Sequence, residues 1–287
     1  MRIFRSLIVV VLVIASATLS FADTSGSWVK VRTMPISFKF YYAGFSDAQN
    51  GLTIGYAGEV HQTTDGGATW PQAANGSACR FGLEIVNAQV AYHCGNAGNV
   101  GKSVDGGKTW FRVSDFGGSS PLQARYLSFF SESSGWISTG IRLASTEDSG
   151  ATWQEITPPK GIAKILAIAR VDSAKGYLFD RNGFLWSSAD AGKTWTKNRV
   201  VSEQFNNNIE PTPIACLRCS DASRISLLFF RFGDQPGWVL RSSTDAGSTW
   251  SDQAIDAVLA NPWLDRSVRF LTTSDYVKKE VTLYSLQ

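Results

Sequence analysis

Five aspartates stand in nearly identical surroundings, and their carboxylates could act as acids, bases or metal ligands. Each follows a serine or threonine by two residues and precedes a glycine by two, and a Thr-Trp pair closes each segment. We call these segments box turns, and their aspartates and closing tryptophans are Asp65 and Trp70, Asp105 and Trp110, Asp148 and Trp153, Asp190 and Trp195, and Asp245 and Trp250. One catalytic site does not need five identical parts, so the repetition favours a structural role.

Other residues capable of catalysis are sparse. The two histidines, His61 and His93, fall in different repeats, whereas a zinc site needs three or four converging ligands. The sequence contains no Gly-x-Ser-x-Gly elbow and no phosphate-binding glycine loop. We therefore predict no metal site, no cofactor and no catalytic residue.

Four cysteines allow disulfides if the chain is exported. Cys79 and Cys94 bracket an apparent hairpin and are a candidate pair across two antiparallel strands. Cys216 and Cys219 form a Cys-x-x-Cys segment, which could be redox-active, a local disulfide or two thiols. If that segment is extended, its Cα atoms are roughly 10 Å apart, which is too far for a bridge.

The spacing of the box turns defines the elements that carry them. The five aspartates are separated by 40, 43, 42 and 55 residues, and a period near forty is typical of propeller blades. Within each period, short runs rich in β-branched and aromatic residues alternate with Gly, Asn and Asp. The pattern predicts repeated four-stranded antiparallel units, with each box turn between the third and fourth strands. Its glycines permit positive φ, its aspartate accepts backbone N–H bonds, and its tryptophan covers an apolar layer.

The box turns resemble Asp-box (BNR) repeats, whose pattern is Ser/Thr-x-Asp-x-Gly-x-Thr-Trp. The second copy fits as Ser103-x-Asp105-x-Gly107-x-Thr109-Trp110, and the other copies fit equally well. The compact blade body and the recurrence in nearly every blade are most similar to the photosystem II stability/assembly factors and more distantly similar to sialidases. This resemblance implies one β-propeller across residues 23–287. We expect about six blades, with five or seven as alternatives, and we expect "SWVKVR" to join the C-terminal strands in one blade.

The topology separates the box turns from any binding surface. If the first strand of each blade starts at one face, which we call the top face, the box turns lie at the opposite, bottom face. Candidate partner-binding residues near the inner strands and top loops are Arg80, Arg125, Arg142, Arg181, Arg218 and Arg269. The resemblance to assembly factors implies a protein or peptide partner docked on a basic patch at this face, with scattered solvated arginines as the alternative.

Two other functions remain open from the sequence. A sialidase would need clustered arginines and a Tyr–Glu pair. The nearest entry motif, Arg32-Thr33-Met34-Pro35, has one residue too many, and Tyr276 and Tyr284 have no recognisable partner. A glycan-binding propeller without turnover would use top-face tryptophans, for which Trp136, Trp186 and Trp238 are candidates, although blade core is the simpler interpretation of each.

The N-terminus has the order of a secretory signal. Arg2 and Arg5 precede an apolar or small run from Leu7 to Leu19, and Ala22 offers a cleavage position. We expect residues 1–22 to be removed and the mature chain to be exported, to the periplasm, to the extracellular space or, in a phototroph, to the thylakoid lumen. The remaining 25 basic and 24 acidic residues nearly balance, which disfavours nucleic acid as a partner. No membrane-spanning segment is expected after cleavage.

Overall fold

The structure is a computed structural model, and it describes residues 28–35, 40–55, 58–75, 79–95, 98–116, 123–201, 214–231, 237–255, 263–264, 270–275 and 280–286. The predicted signal segment, Arg269 and Tyr276 lie outside these ranges. Within them, the secondary structure consists of strands and turns, and the strands form six four-stranded antiparallel sheets.

Five of the sheets are blades made of four consecutive strands each. The strands of blade 1 are β2 (Phe40–Phe45), β3 (Gly51–Gly55), β4 (Glu59–Thr63) and β5 (Gln72–Asn75). Those of blade 2 are β6 (Cys79–Ile85), β7 (Ala91–Gly95), β8 (Asn99–Ser103) and β9 (Phe111–Asp115). Those of blade 3 are β10 (Tyr126–Phe129), β11 (Gly135–Ser138), β12 (Leu143–Thr146) and β13 (Gln154–Ile156). Those of blade 4 are β14 (Ile165–Arg170), β15 (Gly176–Asp180), β16 (Phe184–Ser188) and β17 (Thr196–Arg199). Those of blade 5 are β18 (Ile214–Cys219), β19 (Ile225–Arg231), β20 (Gly237–Ser243) and β21 (Ser251–Ile255).

The sixth sheet, which we call the composite sheet, combines both ends of the chain. Its strands in spatial order are β1 (Trp28–Pro35), β24 (Glu280–Leu286), β23 (Phe270–Asp275) and β22 (Trp263–Leu264). β1 pairs with β24 from Trp28↔Leu286 to Pro35↔Glu280. From Trp28 onwards, the predicted segment "SWVKVR" therefore belongs to the outer strand beside the C-terminal strands.

The innermost strands form a closed ring. β2, β6, β10, β14, β18 and β22 each contact the innermost strand of the sheet on either side, and β22 contacts β2. The prediction of an all-β propeller with four-stranded antiparallel blades is confirmed. The chain forms five blades of consecutive strands, which was an alternative to the expected six, and the composite sheet fills the remaining sector of the ring.

Burial falls from the centre of the ring outwards. All six residues of the inner strand β14 are buried, because this strand lies against both neighbouring blades, whereas all four residues of the outer strand β17 are exposed. The core consists of apolar layers between successive blades. Between blades 4 and 5, for example, Tyr177, Phe179 and Phe229 are fully buried, and each such side chain contributes about 1.5–3 kcal/mol.

Candidate functional site

The five box turns share one hydrogen-bond pattern. In the turn of blade 4, Ser188 Oγ donates to Asp190 Oδ1 at 2.8 Å and accepts from Gly192 N at 2.7 Å. Thr194 then donates twice, from its N to Oδ1 at 2.8 Å and from its Oγ1 to Oδ2 at 2.6 Å. The turns of Asp65, Asp105, Asp148 and Asp245 repeat these contacts. Each carboxylate is thus committed to its own turn.

These hydrogen bonds stabilise the ionised carboxylates. The Oγ1–H of Thr194, with further bonds from Thr194 N and Ser188, lowers the pKa of Asp190 to about 2. The equivalent threonines, Thr69 and Thr249, lower the pKa values of Asp65 and Asp245 to about 2 as well. A carboxylate held in this way is a poor proton donor at neutral pH, which argues against acid catalysis by the box turns.

The backbone of each box turn is left-handed at two successive residues. The residue after each aspartate has a φ of 60–72°, whether it is Gly66, Gly106, Ser149, Ala191 or Ala246. Its N–H donates to a carbonyl in the turn between the first and second strands of the same blade, as in Ala191 N to Ala174 O at 2.7 Å. Both turns of each blade therefore lie together at the bottom face.

The box tryptophans are half-buried where neighbouring blades meet. The Trp110 and Trp250 Nε1–H groups each donate to the carbonyl of the glycine three residues earlier at 3.0 Å. Trp153 donates instead to Ser114 Oγ of blade 2, and its ring packs against Phe116 and Phe129. Trp195 lies 5.8 Å from the ring of Trp136 in blade 3. These tryptophans join blades as well as covering their own sheets.

The inner strands carry a buried ion pair across the ring. Arg218 on β18 and Glu84 on β6 approach to 3.5 Å between Nη1 and Oε2, and both side chains are less than 10% exposed. Arg218 Nε also donates to Leu264 O of the composite sheet at 3.1 Å. Since β6 and β18 are not neighbours in the ring, the pair spans the central channel. Arg218 is therefore separate from any exposed basic patch.

The remaining candidate arginines are spread around the top face. Arg125 precedes β10, contacts Gln123 and stacks over Phe81 at 5.5 Å. Arg142, between β11 and β12, pairs with Glu155 and stacks over Phe116 at 5.0 Å. Arg181, between β15 and β16, is half-buried. Arg80 lies on β6, where its side chain is outside the described atoms. Arg125, Arg142 and Arg218, whose side chains the structure describes, thus have separate partners and do not form one cluster.

The top edge of blades 3 and 4 combines cations with an exposed apolar side chain. Ile141, in the turn between β11 and β12, is 61% exposed and is the most exposed large apolar residue of the described chain. Lys160 and Lys164 belong to the connection from β13 to β14, beside that turn. Backbone bonds join the parts of this edge, from Ile165 N to Gly140 O at 2.7 Å and from Arg181 N to Lys164 O at 2.9 Å. We call this surface the blade 3–4 rim.

Sequence reasoning missed several buried polar residues. Arg170 at the end of β14 is 5% exposed and donates to Glu147 Oε1 at 2.6 Å and to Gly135 O at 3.2 Å, which ties blade 4 to blade 3. Asp180 at the end of β15 is fully buried and accepts from Trp186 Nε1 at 2.9 Å and from two backbone N–H groups of the following turn. A charge inside an otherwise apolar strand run was the available signal for both.

The tryptophans proposed as a glycan platform lie in the blade core. Trp136 and Trp186 are 0% and 5% exposed, and Trp238 packs beside a buried cluster between blade 5 and the composite sheet. Tyr284 belongs to the same cluster, and burial raises its pKa. The core interpretation of these residues agrees with their packing.

The cysteines occupy strands rather than turns. Cys94 lies opposite Gly82, and Cys79 lies opposite Gly95 across a register shift. The Cys79 side chain is outside the described atoms, so the bridge stays a prediction. Cys216 and Cys219 lie on the extended strand β18, a geometry that does not permit a bridge between them.

The described residues contain neither a candidate metal site nor a candidate membrane-spanning helix. No group of three or more His, Cys, Asp and Glu side chains in these ranges could hold a metal ion. Nor do the same ranges contain a helix with the length and apolar character needed to cross a membrane.

The chain matches no protein-family model and no curated protein. It is similar to the structure of YCF48 bound to a D1 peptide, with 17% identity over 95% of this chain and 100% of that chain and a TM-score of 0.57. The chain shares the β-propeller fold. YCF48 from Cyanidioschyzon merolae gives 17% identity over 91% and 98% of the two chains, with a TM-score of 0.54. A streptogramin B lyase gives 11% identity over 91% and 99%, with a TM-score of 0.59. At these identities the similarity concerns the fold, which hosts both binding proteins and enzymes.

Proposed function

We propose that this protein is an exported, non-catalytic β-propeller that binds a protein or peptide through its top face, in a role similar to that of photosystem II assembly factors. The observation that supports this most directly is the blade 3–4 rim, where an exposed Ile141 lies among cationic side chains on a rigid backbone. Loops held by a rigid scaffold are the usual place for recognition. The similarity to YCF48 bound to a D1 peptide supports a peptide as the ligand class.

The rim is rigid because its turns are hydrogen-bonded internally. Ser138 Oγ donates to Arg142 O at 2.8 Å and accepts from Gly140 N at 3.0 Å. The buried Asp180 carboxylate fixes the corresponding turn of blade 4. A preformed rim loses little conformational entropy on binding, which favours affinity for an extended ligand.

The rim is also positively charged on balance. Its cations are Arg142, Lys160, Lys164 and Arg181. Of the acids nearby, Glu155 pairs with Arg142, and the Asp180 carboxylate is buried by its own turn. The surplus of positive charge favours an acidic peptide segment with one apolar side chain placed against Ile141.

Export is proposed from the sequence alone. The order Arg2, Arg5, apolar run and Ala22 is that of a cleaved secretory signal. Expression of the full chain, followed by N-terminal sequencing of the exported product, should give a mature protein that begins at Asp23. Retention of Met1 in the exported fraction would contradict cleavage.

A sialidase function has no supporting observation in the described chain. Arg218 is buried against Glu84, Arg142 is paired with Glu155 near the outer strand, and Tyr284 is packed in an apolar cluster. A fluorogenic sialoside assay on the mature chain tests this directly. We expect no turnover above the rate without protein.

The binding proposal is tested with an array of immobilised twelve-residue peptides of acidic, neutral and basic composition. We expect selective binding to acidic peptides that contain one large apolar residue, weakened by salt. Lys164→Glu with Arg181→Glu should weaken binding about tenfold or more, which corresponds to about 1.4 kcal/mol. Lys108→Glu and Lys193→Glu, on exposed box turns of the bottom face, are the matched control. Equal losses from both pairs, or preference for basic peptides, would contradict the proposal.

A further inference from the structure

A fully buried histidine lies in the core between blades 1 and 2. His93, on β7, is 0% exposed. Its neighbours across the sheet are Leu83 on β6 and Gly101 on β8. Ala91, two residues earlier on the same face, and Leu83 belong to the apolar cluster that blade 2 shares with Leu52 of blade 1. The imidazole therefore faces the interface between these blades.

The equivalent position is apolar in most other blades. The blades can be aligned at the second-strand residue that pairs with the Ser or Thr beginning each box turn. In blades 1 to 5 this residue is Gly51, Ala91, Gly135, Gly176 and Ile225. Two residues further along the same strand stand Thr53, His93, Ile137, Leu178 and Leu227. Blades 3, 4 and 5 thus place a branched aliphatic side chain where blade 2 has an ionisable ring. The blade architecture does not require a histidine here.

The ring is tightly enclosed, and no other described residue offers it a polar contact. A Cβ added to Gly101 would lie 2.3 Å from His93 Nε2, so the imidazole occupies the space of the missing side chain. The Trp110 ring, from the box turn of blade 2, lies 4.8 Å away at a tilt of 38°. Neither Nδ1 nor Nε2 has a hydrogen-bond partner in the described part of the chain. Burial lowers the pKa of His93 to about 4, so the ring is neutral at pH 7.

The described charged side chains on the adjoining elements are directed elsewhere, and the Arg80 side chain on β6 lies outside the described atoms. On β6, the Glu84 carboxylate forms an ion pair with Arg218. On β8, Lys102 Nζ reaches Ser149 Oγ at 3.0 Å. In blade 2, Asp105 accepts a hydrogen bond from Thr109, Lys108 is exposed, and Arg112 pairs with Asp115. In blade 1, the Glu59 side chain packs against Gly55, and His61 Nδ1 contacts Trp70 O. A proton on His93 would therefore have no carboxylate beside it.

We propose that His93 makes the joint between blades 1 and 2 acid-sensitive. A proton taken up by the enclosed imidazole creates a buried cation without an acceptor, and the ring must move towards solvent to hydrate it. Movement of the ring displaces Trp110, which contacts it. The Trp110 Nε1–H donates to Gly107 O, and Gly107 packs on Leu52 of blade 1, so the displacement reaches both the box turn and the neighbouring blade. Protonation thus loosens a box turn and an inter-blade layer together, and the other layers between blades have no counterpart at this position.

The sign of the effect follows from linkage. The unfolded chain binds a proton at His93 near pH 6.5, and the folded chain does so near pH 4, so the stability contributed by the neutral ring is lost as pH falls through this window. Between pH 7.5 and 4.5 this group alone raises the unfolding equilibrium constant roughly 50- to 100-fold.

The test uses His93→Leu, which installs the side chain found in blades 4 and 5. The unfolding equilibrium constant of each protein is measured in urea at pH 7.5 and pH 4.5. The rise in this constant between the two pH values should be roughly 50- to 100-fold larger for the wild type than for His93→Leu. His61→Gln, at the other histidine, should retain the His93 component. Identical pH dependence in the wild type and His93→Leu would overturn the proposal.

A second measurement does not depend on the folding of that variant. Because the chain contains two histidines, His61→Gln leaves a single imidazole signal in the proton NMR spectrum. We expect this signal to keep its neutral position as the pH falls to about 5.5 and, at lower pH, to change together with the Trp110 indole resonance. Titration near pH 6.5 without a change at Trp110 would show an accessible ring and would likewise overturn the proposal.

Discussion

The Arg218 guanidinium and the Glu84 carboxylate meet across the axis of the ring, 3.5 Å apart and nearly excluded from solvent. They come from blades 5 and 2, whose inner strands are not neighbours in the ring. Arg218 also holds Leu264 O of the composite sheet, so one side chain joins three separate sectors of the propeller. The ion pair therefore crosses the channel at this level and ties blade 2 to blade 5 and to the composite sheet.

Removal of one partner of this pair should destabilise the fold strongly. We expect Glu84→Leu to lower the free energy of unfolding by about 3–5 kcal/mol, because it leaves the Arg218 charge buried without its carboxylate. The double variant Glu84→Leu with Arg218→Met should regain part of the loss. Arg112→Met, at the exposed pair with Asp115, is the control and should cost less than about 1 kcal/mol. Similar losses from Glu84→Leu and Arg112→Met in urea unfolding would contradict this view of the channel.

The buried hydroxyl of a box turn should matter more than its exposed neighbour. Ser188, 2% exposed, accepts from Gly192 N and donates to Asp190. Ser188→Ala leaves a buried N–H without its acceptor, and we expect a loss of about 1–3 kcal/mol in the free energy of unfolding. Ser187→Ala, one residue earlier and less buried, should change it by less than about 0.5 kcal/mol. Equal losses in the free energy of unfolding for the two variants, by thermal or urea unfolding, would show that the Ser188 hydroxyl does not stabilise the turn.

Glycine should be preferred after the box aspartate. Ala191 has a φ of 61°, where an L side chain costs roughly 1–2 kcal/mol, whereas the turns of blades 1 and 2 have Gly66 and Gly106 at this place. Because glycine also gains entropy in the unfolded chain, we expect Ala191→Gly to raise the free energy of unfolding by a net of about 0.5–1 kcal/mol. Ala189→Gly, two residues earlier in an exposed bend, should be neutral or destabilising. A melting temperature lowered by Ala191→Gly would contradict the strain argument.

Two box tryptophans should respond differently to the same truncation. The Trp250 Nε1–H donates to Gly247 O, whereas the buried Trp195 Nε1 has no partner in the described part of the chain. Both Trp→Phe changes lose apolar contact, but Trp250→Phe also leaves a carbonyl without its donor. We expect Trp250→Phe to be more destabilising by about 1 kcal/mol in urea unfolding. If Trp195→Phe proves the more costly, a bound water or an unrecognised acceptor satisfies its indole.

The local features were predictable from the sequence, and the long-range polar contacts were not. A box turn such as that of Asp190 is complete within eight residues, so residue types and spacing specify its strands, its turn and the side of the sheet it occupies. The contact of Arg218 with Glu84 depends on how the whole ring closes, and no short pattern encodes it. The enclosure of His93 also depends on Gly101 of the next strand and on Trp110 beyond it. The candidate rim was anticipated as single arginines, but Ile141 and the two lysines became visible only with the loops in place.

The pairing of β1 with β24 has a consequence for biosynthesis. A nascent chain can complete its blades one after another, yet the last sector must wait until its most distant strands have both left the ribosome. Until then, β2 of blade 1 and β18 of blade 5 each lack one neighbour, and the sides of these strands that face β22 in the finished ring remain uncovered. The ring therefore closes only after β24 has been synthesised and can pair with β1.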